Sequence, residues 1–340
     1  MTEGSSTTPV QRVQTKGIFY GYWIVAAGSI VAAVNGALYF YGFGAFFKFI
    51  IDELGTSRAV MSGAFSLARL EGGLIGPIEG WLIDKFGPRK VMFVGIPMLA
   101  AGFFLMSAVN SIIMFYAVFV LLLSLGSAFS SVAPVSTAVA NWFNRKRSAM
   151  LGITLAGVGA GSAIVPVVTL LITYLGWRQA LVVLGFVILI IGFPVAALVR
   201  HKPEQYGYYP DNEEPEPASP PADSDSAHST VADEEGLTAK EALRTSAFWF
   251  MAFAFSLRVG VTSAVAIHFI PFLTDIGLSL NTAGLMVSLL GIVGIVGRLG
   301  FGWLGDIAFF TFAALCTVAI PLIMVAKKPA PKSSVQVATV

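Results

Sequence analysis

Nine apolar stretches of membrane-spanning length dominate this chain of 340 residues. A helix needs about 20 predominantly apolar residues to cross the hydrocarbon core of a bilayer, which is ~30 Å thick. Lipid offers no hydrogen-bond partner to free backbone groups, and none of the stretches alternates polar and apolar residues as a barrel strand does. We therefore predict an all-α, multi-pass membrane protein. The stretches lie at residues 20–47, 59–83, 91–108, 112–140, 148–174, 180–199, 247–273, 282–304 and 307–325.

The composition excludes several other classes of protein. Only 12% of the residues are charged and 56% are hydrophobic, whereas a soluble domain carries about 25% charged residues. The net charge of +2 and the lack of a basic, aromatic face exclude a nucleic-acid partner. The lone cysteine, Cys316, excludes an internal disulfide. We find no Walker loop and no hydrolase or metalloprotease motif, so we expect no enzyme activity, no cofactor and no use of ATP.

A five-residue pattern occurs twice. It reads Gly80-Trp-Leu-Ile-Asp84 in the first copy and Gly302-Trp-Leu-Gly-Asp306 in the second. The surrounding residues also match without a gap, over about forty residues in each copy. Many membrane transporters are built from two repeated halves around a central site. The repeat therefore predicts a duplicated helical architecture.

Basic residues are concentrated in alternate loops. By the positive-inside rule, this asymmetry places the N-terminus in the cytoplasm of a cell whose plasma or inner membrane holds the protein. The basic residues are Arg12 and Lys16 before the first stretch, Lys85, Arg89 and Lys90 after the second, Arg145, Lys146 and Arg147 after the fourth, and Arg200 and Lys202 after the sixth.

Five regions follow from these patterns. We predict a cytoplasmic tail (1–18), a half of six helices (19–200), an acidic, proline-rich linker that is disordered by composition (201–246), an incomplete second half (247–326) and a C-terminal tail (327–340). A single apolar stretch follows Asp306, with no loop residues before it, although paired helices need a connection. We therefore expect the second half to lack the counterparts of helices 9–11, so that the last stretch corresponds to helix 12.

The loop after the second stretch resembles the signature of the major facilitator superfamily. It reads Gly80-Trp-Leu-Ile-Asp84-Lys85-Phe-Gly87-Pro-Arg89-Lys90. Four other segments are similar to the monocarboxylate transporter and oxalate–formate antiporter branch: Tyr20-Gly-Tyr-Trp23, Ala68-Arg-Leu-Glu-Gly-Gly73, Trp142-Phe-Asn-Arg-Lys-Arg147 and Gly176-Trp-Arg178. The resemblance implies a major facilitator-type bundle that moves small monocarboxylate or dicarboxylate anions by alternating access, as a proton symporter or an anion exchanger.

The signature loop is the predicted gate. The resemblance implies that Gly80, Asp84, Lys85, Gly87, Arg89 and Lys90 lock the two halves together and release them on opening, while Arg298 and Asp306 serve the second half. The alternative is that these residues are only positive-inside charge. The fixed spacing of glycine and aspartate favours the gate, because small residues let membrane helices approach closely.

Two arginines within the apolar stretches are the candidate anion ligands. Arg69 and Arg258 both lie near mid-bilayer by their distance from the stretch ends, where an isolated charge costs at least about 2.5–3.5 kcal/mol. A guanidinium fork binds a carboxylate with two parallel hydrogen bonds. Glu71 cannot pair with Arg69 along one helix, because residues two apart face different directions. The alternative is a structural ion pair, such as Glu71 with an arginine of another helix.

Further candidates surround these charges. Glu71 and His268 are candidates for proton coupling, although His268 also fits an interfacial hydrogen bond. Asn35 and Tyr39 are predicted to line the cavity, with an aromatic belt as the alternative for the tyrosine. We read Gly152, Gly157, Gly159 and Gly161 with Pro166 as a close-packing hinge against the other half.

The sequence thus favours a secondary active transporter whose partners are the lipid bilayer, a small organic anion and, in a symporter, protons. One alternative is an efflux carrier for hydrophobic compounds, in which the arginines are structural. Another is a non-functional deletion remnant of such a transporter.

Overall fold

A computed structural model describes residues 18–213 and 244–296, which contain helices and no strand. A short helix, Phe47–Leu54, joins the first two long helices. The all-α prediction is therefore confirmed. The long helices are α1 (Tyr20–Ala45), α2 (Arg58–Phe86), α3 (Pro88–Ser107), α4 (Ile112–Trp142), α5 (Arg147–Leu175), α6 (Trp177–Leu198), α7 (Ser246–Asp275) and α8 (Leu280–Val296).

Six helices of the described part, namely α1, α3, α4, α5, α6 and α7, are long and apolar enough to cross a membrane. The chain is therefore a multi-pass membrane protein. Helix α2 is also long enough, with 29 residues, but Arg69, Glu71 and Glu79 make it more polar than the others. The last predicted stretch, at 307–325, lies outside the described residues, and so does the prediction of absent helices.

Local sequence signals set the helix boundaries. Gly87 and Gly176 adopt positive φ angles of 86° and 78° between consecutive helices, a backbone region that glycine enters without steric cost. Ser57, Ser111 and Thr245 each precede a helix and accept a hydrogen bond from a backbone N–H in its first turn. Such caps satisfy donors that the helix itself leaves unpaired.

Two helices contain π-helical segments at corresponding depths. In α1 the segment is Gly36–Tyr41, and in α4 it is Phe119–Ser124. The rings of Tyr39 and Phe119, one from each segment, stack with centroids 6.0 Å apart. Helical segments of this kind are rare and are frequent at functional sites.

Glycines bring α5 into backbone contact with α1. A Cβ added at Gly157 would collide with the carbonyl of Ser29, and one added at Gly161 would collide with the carbonyl of Ala33. Gly157 and Gly161 therefore pack within the predicted six-helix half and not against the other half, which corrects the hinge prediction for these two glycines.

Gly159 does face α8 of the second half, as the hinge prediction expected, because its carbonyl oxygen lies 3.1 Å from where a Cβ on Gly291 would stand. Beside it, the Ser162 hydroxyl donates to the Ser288 carbonyl at 3.3 Å.

The two ends of the bundle differ. We call the end that carries residues 84–90, 144–147 and 200–213 the loop end, and the end that carries Glu53, Arg58, Arg178 and Asp275 the opposite end. Compact packing divides the chain into residues 1–292 and 293–340. All contacts described here lie within the first of these units.

The beginning of the predicted linker is folded. Pro203 is buried, and the Tyr208 ring lies 5.5 Å from the Trp142 ring and 6.2 Å from the Phe19 ring. The Asp211 carboxylate accepts hydrogen bonds of 2.7 Å from the backbone N–H groups of Asn144 and Arg145. Residues 201–213 are therefore part of the bundle, which corrects our linker boundary. The acidic remainder, 214–243, lies outside the described residues.

His201 packs this segment against the signature loop. Its ring lies 3.4 Å from where a Cβ on Gly87 would stand, and its Nδ1 is buried without a hydrogen-bond partner. Burial lowers the pKa of His201, and the charge of Lys202 lowers it further, against the opposing effects of Asp84 and Glu204. The folded structure therefore favours the neutral imidazole.

We expect residues 200–213 to loosen at acidic pH. Because the pKa of folded His201 lies below its ordinary value near 6.5, its contribution to stability is complete above about pH 6.5. That contribution is lost as the pH falls through the folded pKa. Hydrogen-exchange protection of this segment, corrected for intrinsic rates, should fall below about pH 6 in the wild type. The His201→Asn variant should show no such step, and a step of equal size in the variant would contradict the assignment to His201.

Candidate functional site

A cleft of about 830 Å³ separates α2 from α7. Most of its wall is apolar, with Phe65, Leu70, Val259 and Ile267 among the lining residues. Arg69 is the arginine that the described residues contribute to this wall. The polar lining residues are Ser62, Ser66, Arg69, Ser256, Ser263 and His268. A cleft of this size holds a small organic molecule together with water.

The Arg69 side chain is exposed to this cleft. Its guanidinium carbon lies 5.7 Å from the centre of the Phe40 ring. Within the described part of the chain, it forms no salt bridge with a carboxylate. A positive charge at this depth requires water or an anion. Arg69 is thus a free cation with a planar set of donors facing an open space.

His268 lies on the other wall of the cleft. Its Nε2 is 3.3 Å from the Ser62 hydroxyl, and its ring stands edge-on to the Phe47 ring at 5.5 Å. The hydroxyl of Ser263, on the same helix, is buried without a hydrogen-bond partner. Helices α2 and α7 therefore contact each other through polar side-chain atoms in the part of the cleft that lies nearest the opposite end of the bundle.

Glu71 faces away from the cleft. The Ser124 hydroxyl of α4 donates to Glu71 Oε2 at 2.6 Å, and Glu71 Oε1 is buried without a partner. Among the described residues, Glu71 makes no ion pair with an arginine. Tyr39 lines a small cavity together with Arg69.

Two other candidate ligands are not placed in this cleft. The Asn35 amide nitrogen donates to the Ser127 hydroxyl at 2.8 Å, so this side chain joins α1 to α4 within the first six helices. The backbone of Arg258 lies in α7, between the cleft-lining residues Ser256 and Val259. Its side chain lies outside the described residues.

Sequence reasoning missed the serines of the cleft and one carboxylate. Ser62 and Ser66 stand seven and three residues before Arg69, a spacing that places all three on one helix face. That spacing could have identified the two serines as cleft residues from the sequence. Glu79, on the same helix, is only 9% exposed and was not considered.

The signature loop is not engaged with another helix among the described residues. Asp84 is exposed and has no ion pair there, and the Lys85 ammonium lies 4.6 Å from the Trp81 ring. A Cβ added at Gly80 would meet nothing within 4 Å. Arg89 and Lys90 are exposed, whereas Gly87 contacts His201. Arg298 and Asp306 lie outside the described part.

Two ion pairs lie at the opposite end. Arg58 of α2 binds Asp275 of α7 with a hydrogen bond of 2.7 Å. Arg178 binds Glu53 at 2.5 Å, and the Trp177 indole donates to the same carboxylate at 3.0 Å. The hydrogen bond from Arg178 holds the pKa of Glu53 below its ordinary value. In the described part, a salt bridge therefore joins α2 to α7 at this end of the cleft, and none joins them towards the loop end.

These features define a multi-pass helical membrane protein with a cleft between α2 and α7 that an arginine and several hydroxyl groups face. The family model of the Major Facilitator Superfamily matches residues 17–336. The chain belongs to this superfamily, as the signature loop predicted.

Several named proteins are similar to this chain over most of its length. "Monocarboxylate transporter 12" of Xenopus laevis is 30% identical over 259 residues, which are 73% of this chain and 54% of that protein. "Oxalate:formate antiporter" of Oxalobacter formigenes is 27% identical over 82% of this chain and 62% of its own length. "Probable hexose phosphate transport protein" of Chlamydia muridarum is 27% identical over 84% of this chain and 65% of its own length. The chain thus spans between about half and two thirds of these relatives.

Proposed function

We propose that this protein is a secondary active transporter that carries small monocarboxylate or dicarboxylate anions across the plasma or inner membrane. The observation that carries this proposal is Arg69, an arginine without a salt bridge in the described part that faces the cleft between α2 and α7. An anion in the cleft supplies the negative charge that this guanidinium lacks. The names of two relatives, a monocarboxylate transporter and an oxalate:formate antiporter, support the same substrate class.

The proposed transport cycle alternates between two seals. The conformation described here holds the Arg58–Asp275 seal at the opposite end and leaves Asp84 of the signature loop unpaired among the described residues. In the reverse conformation, the Arg58–Asp275 pair separates and the signature loop closes the loop end. If the loop end is cytoplasmic, as its basic residues favour, the described conformation is open to the cytoplasm.

The driving force is a proton gradient or a counter-anion. No nucleotide-binding loop occurs in the sequence, so ATP hydrolysis is not part of the proposal. An efflux carrier for hydrophobic compounds is the second candidate, which the apolar part of the cleft wall favours. The exposed cation and the five hydroxyl or imidazole side chains of the same cleft favour an anion as substrate.

Uptake by the purified full-length chain in proteoliposomes tests the proposal. Labelled formate, oxalate, lactate, pyruvate and a hexose phosphate would be offered in parallel, under either a pH gradient or an excess of unlabelled anion inside. We expect accumulation of at least one carboxylate above protein-free liposomes, with competition among carboxylates. Uptake of the hexose phosphate alone would replace the substrate class, and no uptake of any anion would favour the non-functional alternative.

A further inference from the structure

A second cavity, of about 250 Å³, lies at the opposite end of the bundle. Its wall is formed by the end of α1, the short helix Phe47–Leu54, the last turns of α7 and the connection from α7 to α8. Among the described residues, none lines both this cavity and the cleft between α2 and α7. The two are therefore separate sites.

One part of the wall of this second cavity is apolar. Ile270 and Pro271 of α7 are buried, and Phe49, Leu278 and Leu280 complete this part of the wall. Pockets for drug-sized ligands measure about 300–1,000 Å³, so a smaller molecule suits this volume. The apolar wall favours a molecule that carries a short apolar group, because burying that group removes it from water.

Two opposite charges line the same cavity. Lys48 and Asp52 are four residues apart on the short helix, a spacing that places them on one face, roughly 6 Å apart along the helix axis. Both side chains are exposed, and neither forms a salt bridge among the described residues. The Thr274 hydroxyl also lines the cavity and donates to the Pro271 carbonyl at 2.9 Å, so its own oxygen remains an acceptor.

This pair of charges determines the class of ligand. An anion beside Lys48 would also meet the carboxylate of Asp52, and a cation beside Asp52 would meet the ammonium of Lys48. A molecule that carries an ammonium and a carboxylate on one carbon offers each of the two residues an opposite charge. Hydrogen bonds between charged partners are about twice as strong as neutral ones, so both ends of such a molecule contribute to binding.

We propose that this cavity binds a zwitterion with an apolar side chain, namely a neutral α-amino acid of about the size of leucine. The carboxylate of the ligand binds the Lys48 ammonium, and its ammonium binds the Asp52 carboxylate and the Thr274 hydroxyl. The side chain of the ligand packs on Ile270 and Leu278. The site is distinct from the cleft to which the proposed function assigns the transported anion.

A ligand in this cavity favours the conformation described here. Thr274 immediately precedes Asp275, which binds Arg58 of α2. The cavity needs residues of both the short helix and the end of α7, so the ligand binds this conformation better than one in which α7 has moved away. Leucine should therefore slow transport. This regulatory effect rests on the proposed function, whereas the binding of leucine does not.

Equilibrium binding of labelled leucine to the purified full-length protein tests the site without any transport. We expect saturable binding, with isocaproate and isoamylamine, which each keep the side chain and one charge, at least about tenfold weaker as competitors. Lys48→Gln and Asp52→Asn should each raise the Kd for leucine at least about tenfold, because each removes one charge-assisted hydrogen bond. The matched control is Lys146→Gln, which removes an exposed lysine at the loop end and should leave the Kd within about twofold. Absence of leucine binding, or an unchanged Kd in either cavity variant, would overturn the proposal.

Arg69→Gln distinguishes this cavity from the cleft. Leucine binding should stay within about twofold in this variant, because Arg69 does not line the second cavity. A loss equal to that in Lys48→Gln would place leucine in the cleft and overturn the proposal.

Uptake of labelled formate, or of labelled lactate if formate is not carried, tests the regulatory effect. Saturating leucine should lower the maximal rate at least about threefold without raising the KM, and Lys48→Gln should abolish this inhibition. No inhibition, or inhibition that only raises the KM, would overturn the regulatory effect. If the wild type takes up no anion but binds leucine through Lys48 and Asp52, the proposed transport function fails and the binding site stands.

Discussion

Replacing Arg69 by glutamine is expected to raise the apparent KM for carboxylate uptake by about 10- to 150-fold, because hydrogen bonds to a charged group contribute about 1.5–3 kcal/mol. Glutamine keeps a polar side chain of moderate length but loses the positive charge and the planar pair of donors. Arg69 has no salt bridge among the described residues, so its removal leaves no described carboxylate unpaired. We therefore expect normal folding of the variant, and the measurement is the concentration dependence of labelled uptake in proteoliposomes.

Two further variants separate charge from geometry. Arg69→Lys keeps the positive charge but loses the planar pair of N–H donors. Its KM should therefore lie between those of the wild type and Arg69→Gln. Arg145→Gln is the matched control, because Arg145 binds Glu213 at 3.2 Å on the loop end, far from the cleft. It should leave the KM within about twofold, since exposed ion pairs contribute little. An unchanged KM in Arg69→Gln would remove Arg69 from the binding site.

Gly157→Ala should destabilise the protein, whereas Gly152→Ala should stabilise it slightly. Both glycines lie in the same regular part of α5, Arg147–Ala160. Replacing either of them by alanine should therefore increase the local helix propensity by a similar amount. A Cβ at Gly157 collides with the Ser29 carbonyl and lies 3.0 Å from Ser29 Cα, while a Cβ at Gly152 meets nothing within 4 Å. Overpacking costs about 1–3 kcal/mol, and a compatible Gly→Ala change gains about 0.4–1 kcal/mol.

The apparent melting temperatures of the two variants in detergent provide the measurement. We expect Gly157→Ala to melt below the wild type and Gly152→Ala to melt at or above it. Because α1 and α5 meet through backbone atoms at Gly157, neither helix can yield by changing a rotamer. Equal melting temperatures for the two variants would show that α1 and α5 are further apart than described here.

The membrane helices were predictable because their signal is local. Predicted stretches such as 112–140 and 148–174 differ from the observed α4 and α5 by a few residues at most. Lipid requires each backbone donor to be satisfied within its own segment, so length and hydropathy suffice to locate a helix. The opposed directions of Arg69 and Glu71 were also predictable, since 100° per residue separates neighbours on any α-helix.

The partners of individual side chains were less predictable. Asn35 was expected in the cavity but binds Ser127, because the π-helical segment and the packing of α1 on α4 decide where it points. The fold of segment 201–213 could not be predicted from its composition, because that composition is polar overall. Its few anchors, Tyr208 and Asp211, act through contacts with residues far away in sequence. Glu79 was missed because its burial depends on neighbouring helices, not on its own stretch.

A change in the winding of the π-helical segments of α1 and α4 would reorient side chains without unfolding the bundle. Such a segment accommodates one residue more than the same length of α-helix. Relaxing Gly36–Tyr41 into an α-helix would turn every following residue of α1 by roughly 100°. Tyr39 and Phe40, which lie within this segment and now line a small cavity with Arg69, would turn by part of that angle. A local change of winding within one helix would thereby alter what an occupant of the cleft touches, even with the six helices of the first half otherwise at rest.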